Sequence, residues 1–276
     1  MLYYTAENIA KHICNWMETK RGIAGAKGFV VGVSGGIDSA LVSMLCAKTG
    51  SKTLLVQMPI HRKDNAISRR ADKHVLMLKD KYKNVEGYGH DLSSAYDAIV
   101  NTFPFSVSDL TGANIRSRYL TGANIRSRLR MVSLYSFANQ NNCLVVGTGN
   151  KVEDYGVGFF TKYGDGGVDI SPIGELLKSE VRELSGYLDI DKEIVNAVPT
   201  DELWEDGRSD EDAIGATYDE LEWAMRVNED FKDRALYDFK YKYASERQKK
   251  VLEIYKERHD ANQHKMEMPE ICSIKN

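Results

Sequence analysis

The chain alternates short apolar runs with longer segments of helical periodicity. Three runs, at 29–33, 53–58 and 143–146, have the length and apolar character of buried strands. Around them, apolar residues recur every three or four positions, as in 9–17 and 129–138, which is typical of helices packed on one face. This alternation predicts an α/β fold, with a parallel sheet covered by helices on both faces.

The first apolar run ends in a glycine-rich turn. Residues 34–39 read Ser-Gly-Gly-Ile-Asp-Ser, and helical periodicity resumes immediately afterwards. The turn therefore joins the carboxyl end of a strand to the amino end of a helix, where backbone N–H groups and the helix dipole favour an anion. An ordinary β-to-α turn would account for the glycine pair alone. The full string lacks the Walker lysine and the spacing of the dinucleotide fingerprint, so another type of phosphate site is indicated.

Two strings together carry a family resemblance. Ser-Gly-Gly-x-Asp-Ser resembles the pyrophosphate loop of ATP pyrophosphatases, which split ATP between its α and β phosphates. Gly-Thr-Gly-Asn-Lys-Val-Glu-Asp at 147–154, followed by Gly-Phe-Phe-Thr-Lys-Tyr-Gly-Asp-Gly-Gly at 158–167, resembles the ammonia-dependent NAD synthetases. The resemblance spans nearly the whole chain. It implies a Rossmann-like sheet of the adenine nucleotide alpha hydrolase type, a single synthetase domain over residues 1–276, and free ammonia as nitrogen donor, because we find no nitrilase-like glutaminase segment.

The same resemblance implies a chemistry and a set of site residues. ATP would adenylate the nicotinate carboxylate of deamido-NAD, and ammonia would then displace AMP to leave NAD. Asp38 and Lys178 would be catalytic, and Asp38 and Glu153 would hold Mg²⁺, a hard ion that takes oxygen ligands. ATP would be held by Gly32, Val33, Ser34, Gly35, Gly36, Ile37, Asp38, Ser39, Thr148, Lys178 and Thr200. Deamido-NAD would be held by Arg128, Lys162, Asp169, His264 and Lys265. A homodimer is implied on the same basis.

Local sequence alone favours plainer roles for several of these residues. Asp38 fits the first turn of a helix and Glu153 fits a surface acid. Lys178 fits a solvated helix lysine, Thr148 a turn cap and Thr200 a helix N-cap. Their functional assignment therefore depends on the resemblance.

Composition restricts the partners and the location. The 276 residues carry a formal charge of −3 with a pI near 6.1, so no general electrostatic attraction to nucleic acid is expected. No stretch approaches the roughly 20 apolar residues of a membrane span, and the amino terminus lacks the features of a signal peptide. Four scattered cysteines without metal-ligand spacing indicate reduced thiols. We expect a cytoplasmic enzyme with small-molecule partners and no zinc.

Two other functions fit part of this pattern. One is an ATP pyrophosphatase with a different acceptor, such as a GMP synthetase-like amidotransferase subunit or a tRNA-modifying enzyme. The other is a non-catalytic adenine-nucleotide sensor. The string at 158–169 disfavours the first group. A sensor would need the phosphate loop at 34–39 but not Glu153, Lys178 and the aromatic, glycine-rich loop together.

A tandem duplication interrupts the middle of the chain. Leu-Thr-Gly-Ala-Asn-Ile-Arg-Ser-Arg occurs at 110–118 and again at 120–128, which offers Arg118 and Arg128 for one substrate-binding position. Arg128 keeps the family-like spacing to Thr148. We therefore predict that the downstream copy is functional and that the upstream copy forms a surface extension or mobile loop, since loops tolerate insertions.

Overall fold

A parallel sheet forms the centre of the computed structural model, which describes residues 5–62, 64–104, 115–198, 210–229 and 234–274. The sheet has four strands in the order β3-β2-β1-β4, all parallel. A further parallel bridge joins Val146 to Ile170. The strands are β1 Gly28–Gly32, β2 Lys52–Gln57, β3 Val85–Gly89 and β4 Cys143–Val145.

Helices account for most of the remaining described residues. No helix in these ranges is both long enough and apolar enough to cross a membrane. One segment, Lys151–Val157, is a π-helix. The α-helices of the described ranges are α1 Ala6–Ile23, α2 Ile37–Lys48, α3 Ala66–Lys81, α4 Ser93–Val100, α5 Ile115–Asn141, α6 Lys178–Tyr187, α7 Lys192–Val195, α8 Asp210–Ile214, α9 Tyr218–Glu229, α10 Arg234–Tyr243 and α11 Glu246–Met266.

Both faces of the sheet are covered by helices, as predicted. Successive side chains of a strand point to opposite faces. Phe29 and Val31 of β1 accordingly join a core with α1, α2 and α6, whereas Val30 joins a core that includes Ala138 of α5. All three β1 side chains are fully buried. The near-continuous apolar run of β1 thus reflects burial on two sides.

A second core lies beside the sheet and holds the π-helix. Val152 and Val157 of the π-helix pack with Leu221 of α9 and with Val251 and Tyr255 of α11. These side chains are almost completely buried. The carboxyl-terminal helices therefore fix the position of the segment that follows β4.

Three of the four strands were predicted from apolar runs, and one was missed. Strand β3 reads Val-Glu-Gly-Tyr-Gly and lies at the edge of the sheet. A Cβ at Gly87 would lie 2.7 Å from Cγ1 of Val75, so helix α3 packs directly on the strand backbone there. Glycine at position 87 permits this close contact but has no apolar side chain. Strand β3 therefore lacks the apolar run by which a buried strand is recognised in the sequence.

The duplicated segment differs in part from its predicted form. Helix α5 begins at Ile115 and continues without interruption to Asn141, so residues 115–118 of the upstream copy are helical rather than a loop. The prediction of a loop is wrong for these four residues. Residues 110–114 lie outside the described ranges.

Candidate active site

The turn between β1 and α2 is held in one conformation by glycine and serine. Gly35 has a φ of +93°, and a Cβ there would lie 2.4 Å from the carbonyl oxygen of Ile67, so only glycine fits. The Ser39 hydroxyl donates to the Gly36 carbonyl at 3.0 Å and accepts from the Ser34 N–H at 3.2 Å. No side chain caps the amino end of α2. The turn therefore offers a braced helix N-terminus of the kind that binds phosphate.

A pocket opens at the carboxyl ends of β1 and β4. The neighbouring strands β1 and β4 are followed by α2 and by the π-helix, respectively. The carboxyl ends of adjacent strands are the usual place for a ligand in an open parallel sheet. The loop residues from both strands meet there. The pocket is lined by Ser34, Gly36, Asp38, Ser39, Thr148, Gly149, Glu153, Asp154, Phe159 and Asp165.

Three charged side chains form a compact triad against this pocket. The Lys178 ammonium donates to Asp38 Oδ2 at 2.6 Å and to Glu153 Oε1 at 2.9 Å. The Lys178 side chain is 3% exposed, and each carboxylate side chain is 18% exposed. The solvated lysine and the surface acid that local sequence favours are therefore both wrong, although Asp38 does lie in the first turn of α2.

Burial and the charges within the triad together shift the pKa of each of its side chains. Burial opposes a charge on Lys178, but the two carboxylates outweigh it and raise the Lys178 pKa. For Glu153, burial acts to raise the pKa, whereas Lys178 and a hydrogen bond from Tyr218 outweigh it and lower the pKa. Burial, with repulsion from Glu153, raises the pKa of Asp38 despite Lys178. The lysine therefore remains an ammonium held between two acids.

Neighbouring side chains keep the triad in place. Asn150 donates from Nδ2 to Asp38 Oδ1 at 3.1 Å, while its Oδ1 accepts from the backbone N–H groups of Val152 and Glu153. The Tyr218 hydroxyl donates to Glu153 Oε1 at 2.6 Å. The Asn150 amide thus connects Asp38, in the phosphate loop at 34–39, to the π-helix. Tyr218 comes from α9.

The pocket carries more negative charge than the lysine neutralises. Asp154 and Asp165 line it together with Asp38 and Glu153. Burial raises the pKa of Asp154 well above its usual range, and the three other acids add to the effect. Asp154 also lies so close to Gly149 that a Cβ at 149 would meet Oδ2 at 1.8 Å.

This charge surplus fits a divalent cation. Asp38 and Glu153 already share one cation, the Lys178 ammonium, so both carboxylates reach a common point. Within the described ranges no cluster of three or more acid, histidine or cysteine ligands is present. Two carboxylates suit Mg²⁺, which usually completes its shell with substrate phosphate oxygens and water.

The residues expected at the second substrate gather around the loop at 158–167. Lys265 Nζ donates to the carbonyls of Gly158 and Phe160 at 2.7 and 3.0 Å. Lys162 Nζ donates to the carbonyls of His264 and Glu267. The end of α11 is therefore fastened to this loop by two lysines, in a segment that composition alone would assign to disorder.

Arg128 and Asp169 have separate positions. Arg128 Nη2 approaches the Lys162 carbonyl at 3.4 Å, so it borders the same loop. Asp169 accepts from the Tyr135 hydroxyl at 3.0 Å and from the Val145 N–H at 2.8 Å, at the end of β4. Four of the five predicted residues thus come together, while Asp169 lies at the sheet edge.

The downstream repeat contacts this loop through three residues. Asn124 accepts from the Thr161 hydroxyl at 2.7 Å, and Ser127 donates to Asp165 at 2.5 Å. Arg128 adds the contact to Lys162. The downstream copy therefore lies against the loop at 158–167.

Comparison with known proteins identifies the family. The model of the family described as NAD synthase matches residues 9–269. The chain is 34% identical over 244 residues to the NH(3)-dependent NAD(+) synthetase of Finegoldia magna, which covers 87% of this chain and 93% of that protein. The chain belongs to the NAD synthase family. It is accordingly a ligase, and its curated relatives, named NH(3)-dependent NAD(+) synthetases, indicate NAD synthesis by ammonia-dependent amidation.

Solved structures support the fold assignment within the NAD synthase family. The NMN synthetase of Francisella tularensis superposes with a TM-score of 0.79 at 32% identity, covering 98% of this chain and all of that one. The NH3-dependent NAD synthetase of Campylobacter jejuni gives a TM-score of 0.76 at 24% identity, which bears on the fold alone. The adenine nucleotide alpha hydrolase type of sheet is confirmed, and a GMP synthetase-like subunit and a non-catalytic sensor are not favoured.

The NAD synthase site contains most of the predicted ATP residues. Ser34, Gly36, Asp38, Ser39 and Thr148 line the pocket, and Lys178 pairs with the acids that border it. The other predicted positions differ: Gly35 shapes the turn, Val33 and Ile37 are buried in the core, Gly32 ends β1, and Thr200 lies outside the described residues.

Sequence reasoning missed four polar side chains that contribute to this site. Asn150 and Asp154 lie inside the family-like string at 147–154, so the polar residues of that string are the signal by which they could be found. Asp165 lies in the glycine-rich string and lines the pocket. Tyr218 starts an ordinary amphipathic helix 65 residues beyond Glu153, and nothing local marks it.

Proposed function

We propose that this chain joins ammonia to deamido-NAD through an adenylated intermediate, with release of pyrophosphate and then AMP. The buried triad of Asp38, Glu153 and Lys178 beside a braced phosphate loop carries this proposal. The carboxylate of nicotinate would attack the α-phosphorus, and pyrophosphate would leave.

Each group of residues has a distinct task in this reaction. The α2 amino terminus and Ser34 would bind the departing pyrophosphate. Lys178 would place an ammonium against phosphate oxygens as negative charge develops there. Asp38 and Glu153 fit Mg²⁺, which supplies neutralisation of phosphate charge when bound. No side chain has to form a covalent bond to substrate.

The second substrate would lie along the loop at 158–167. Arg128 and Lys162 suit phosphate groups, because guanidinium and ammonium groups make charge-assisted hydrogen bonds. His264 and Lys265, at the end of α11, would help to cover the acyl adenylate. Exclusion of water protects such an intermediate from hydrolysis.

A mononucleotide acceptor is the second candidate. The structural neighbour from Francisella tularensis, which covers 98% of this chain, is named an NMN synthetase. The corresponding acceptor is nicotinate mononucleotide, which shares the carboxylate and one phosphate with deamido-NAD. The adenylation chemistry is the same for both acceptors.

We further propose a homodimer through helices α4 and α5. Ile99, Leu120 and Val132 on these helices are 37%, 46% and 56% exposed, and Phe103 just beyond α4 is 37% exposed. Apolar exposure on two packed helices favours a protein partner.

We also propose a cytoplasmic location. All four cysteines lie in the described residues and are free thiols, as is usual in the reducing cytoplasm.

Isotope incorporation tests the reaction. The enzyme is incubated with ATP, Mg²⁺, ¹⁵N-ammonium and either deamido-NAD or nicotinate mononucleotide. The masses of the products are then determined by mass spectrometry. We expect ¹⁵N in the amide of NAD, with faster turnover of the dinucleotide. Faster turnover of the mononucleotide would select the second candidate, and no labelled product from either would contradict the proposal.

The tandem repeat gives a further prediction. Deleting residues 110–119 should keep NAD synthesis within about threefold, because the downstream copy supplies the loop contacts. Arg128→Ala in the full chain should raise the KM for deamido-NAD about tenfold, from the loss of a charge-assisted hydrogen bond. Arg118→Ala is the matched control. A larger effect from Arg118→Ala would assign the role to the upstream copy.

A further inference from the structure

One aromatic residue touches two members of the triad. The Tyr218 hydroxyl donates to Glu153 Oε1 at 2.6 Å, on the same oxygen that accepts from Lys178. The Lys178 ammonium also lies 4.9 Å from the centre of the Tyr218 ring, a cation–π contact. A single side chain therefore orients both the acid and the cation.

The position of Tyr218 is fixed by its surroundings. It is 1% exposed and is the first residue of α9, and its backbone N–H donates to Glu211 Oε1 at 2.8 Å. Glu222, one turn later on α9, accepts from the N–H and the hydroxyl of Ser179, next to Lys178. Helix α9 thus holds the start of α6 as well as the triad.

The two contacts differ in how they respond to a metal ion. Lys178 and Mg²⁺ would share the carboxylates of Asp38 and Glu153, so a bound ion would weaken the ion pairs that hold Lys178. An aromatic ring has no affinity for a strongly hydrated Mg²⁺ that competes with carboxylates. The ring therefore remains available to the released ammonium, while the hydroxyl still orients Glu153.

We propose that Tyr218 is a positioning residue for the adenylation site, which aims Glu153 at the metal ion by its hydroxyl and keeps Lys178 at the ATP phosphates by its ring. This inference rests on the proposed function. Partners that orient a metal ligand typically change metal affinity or activity by about 10- to 100-fold when they are removed.

Two substitutions separate the two contacts, and one serves as control. Tyr218→Phe removes only the hydroxyl, and Tyr218→Leu removes the ring as well. Tyr255→Phe is the matched control, because Tyr255 is 2% exposed in the same core and stacks on His259 instead of touching the triad. Mn²⁺ binding is measured by electron paramagnetic resonance with and without α,β-methylene-ATP, beside thermal melts and steady-state kinetics.

We expect Tyr218→Phe to weaken Mn²⁺ binding about tenfold or more, with a melting temperature close to that of Tyr255→Phe. Tyr218→Leu should in addition lower kcat at saturating Mg²⁺ and raise the KM for ATP. Mn²⁺ affinity within twofold of the wild type in Tyr218→Phe would overturn the proposal. So would an equal loss in Tyr255→Phe, or a Tyr218→Phe protein that no longer melts cooperatively, since either result indicates a structural role.

The metal-binding measurement is independent of the amidation reaction. If the wild-type protein binds Mn²⁺ with α,β-methylene-ATP but forms no NAD or NMN, the proposed function fails while the Tyr218 comparison still stands. If wild-type turnover is normal and the Tyr218 variants match it in both assays, only the positioning role fails.

Discussion

Lys178→Met is expected to abolish measurable NAD synthesis and to destabilise the folded protein. The ammonium is the cation between Asp38 and Glu153, so its removal leaves two buried acids facing one another. Removing one partner from a buried ion pair costs about 3 kcal/mol or more. The loss of phosphate stabilisation should lower kcat about a thousandfold. Activity assays and thermal melts measure the two effects.

Mg²⁺ should partly repair the stability of this variant. A divalent ion can take the position that the ammonium leaves, and binding to the folded state stabilises it. The melting temperature of Lys178→Met should therefore rise more with added Mg²⁺ than that of the wild type. Lys151→Met is the control, because Lys151 makes only a partly exposed pair with Glu229. An Mg²⁺ response no larger than in the control would argue against a shared cation position.

Asp38→Asn and Glu153→Gln should each lower NAD formation about a hundredfold or more. Each change removes one carboxylate oxygen ligand from the proposed Mg²⁺ site with little change in size. Stability should change much less than in Lys178→Met, since Lys178 keeps its other acid. The measurement is turnover across Mg²⁺ concentrations, beside a thermal melt.

A surface acid provides the comparison for these two variants. Glu220 lies on α9 and pairs with Arg247, whose hydrogen bond lowers the Glu220 pKa to about 2. Glu220→Gln removes a carboxylate that is not part of the pocket lining and should leave turnover unchanged. Near-normal turnover at limiting Mg²⁺ in Asp38→Asn or Glu153→Gln would remove that residue from the metal site.

The layers of the fold were predictable because burial on two faces leaves a clear sequence pattern. β1, β2 and β4 are apolar runs, and the helices that cover them keep helical spacing. Edge strand β3 has no such pattern, since only Val85 of its five residues is buried and it packs through glycine. The π-helix was not predicted either, because seven residues are too few to show a period of their own.

The site was predictable only where its residues are close in sequence. The phosphate loop and the string at 147–154 each form a local motif. The triad instead joins residues 25 and 140 positions apart, and Tyr218 comes from a different helix again. Burial of Lys178 between two acids follows from the packing of α6 and α9, which no local pattern of charges reveals.

The fate of the ATP phosphates is the most direct test of the central claim. The string of the phosphate loop, which lacks the Walker lysine, and membership of the NAD synthase family both favour cleavage between the α and β phosphates. With deamido-NAD, ammonium and Mg²⁺ present, chromatography of the products should give AMP and pyrophosphate in amounts equal to the NAD formed. ADP and orthophosphate as the stoichiometric products would contradict the account.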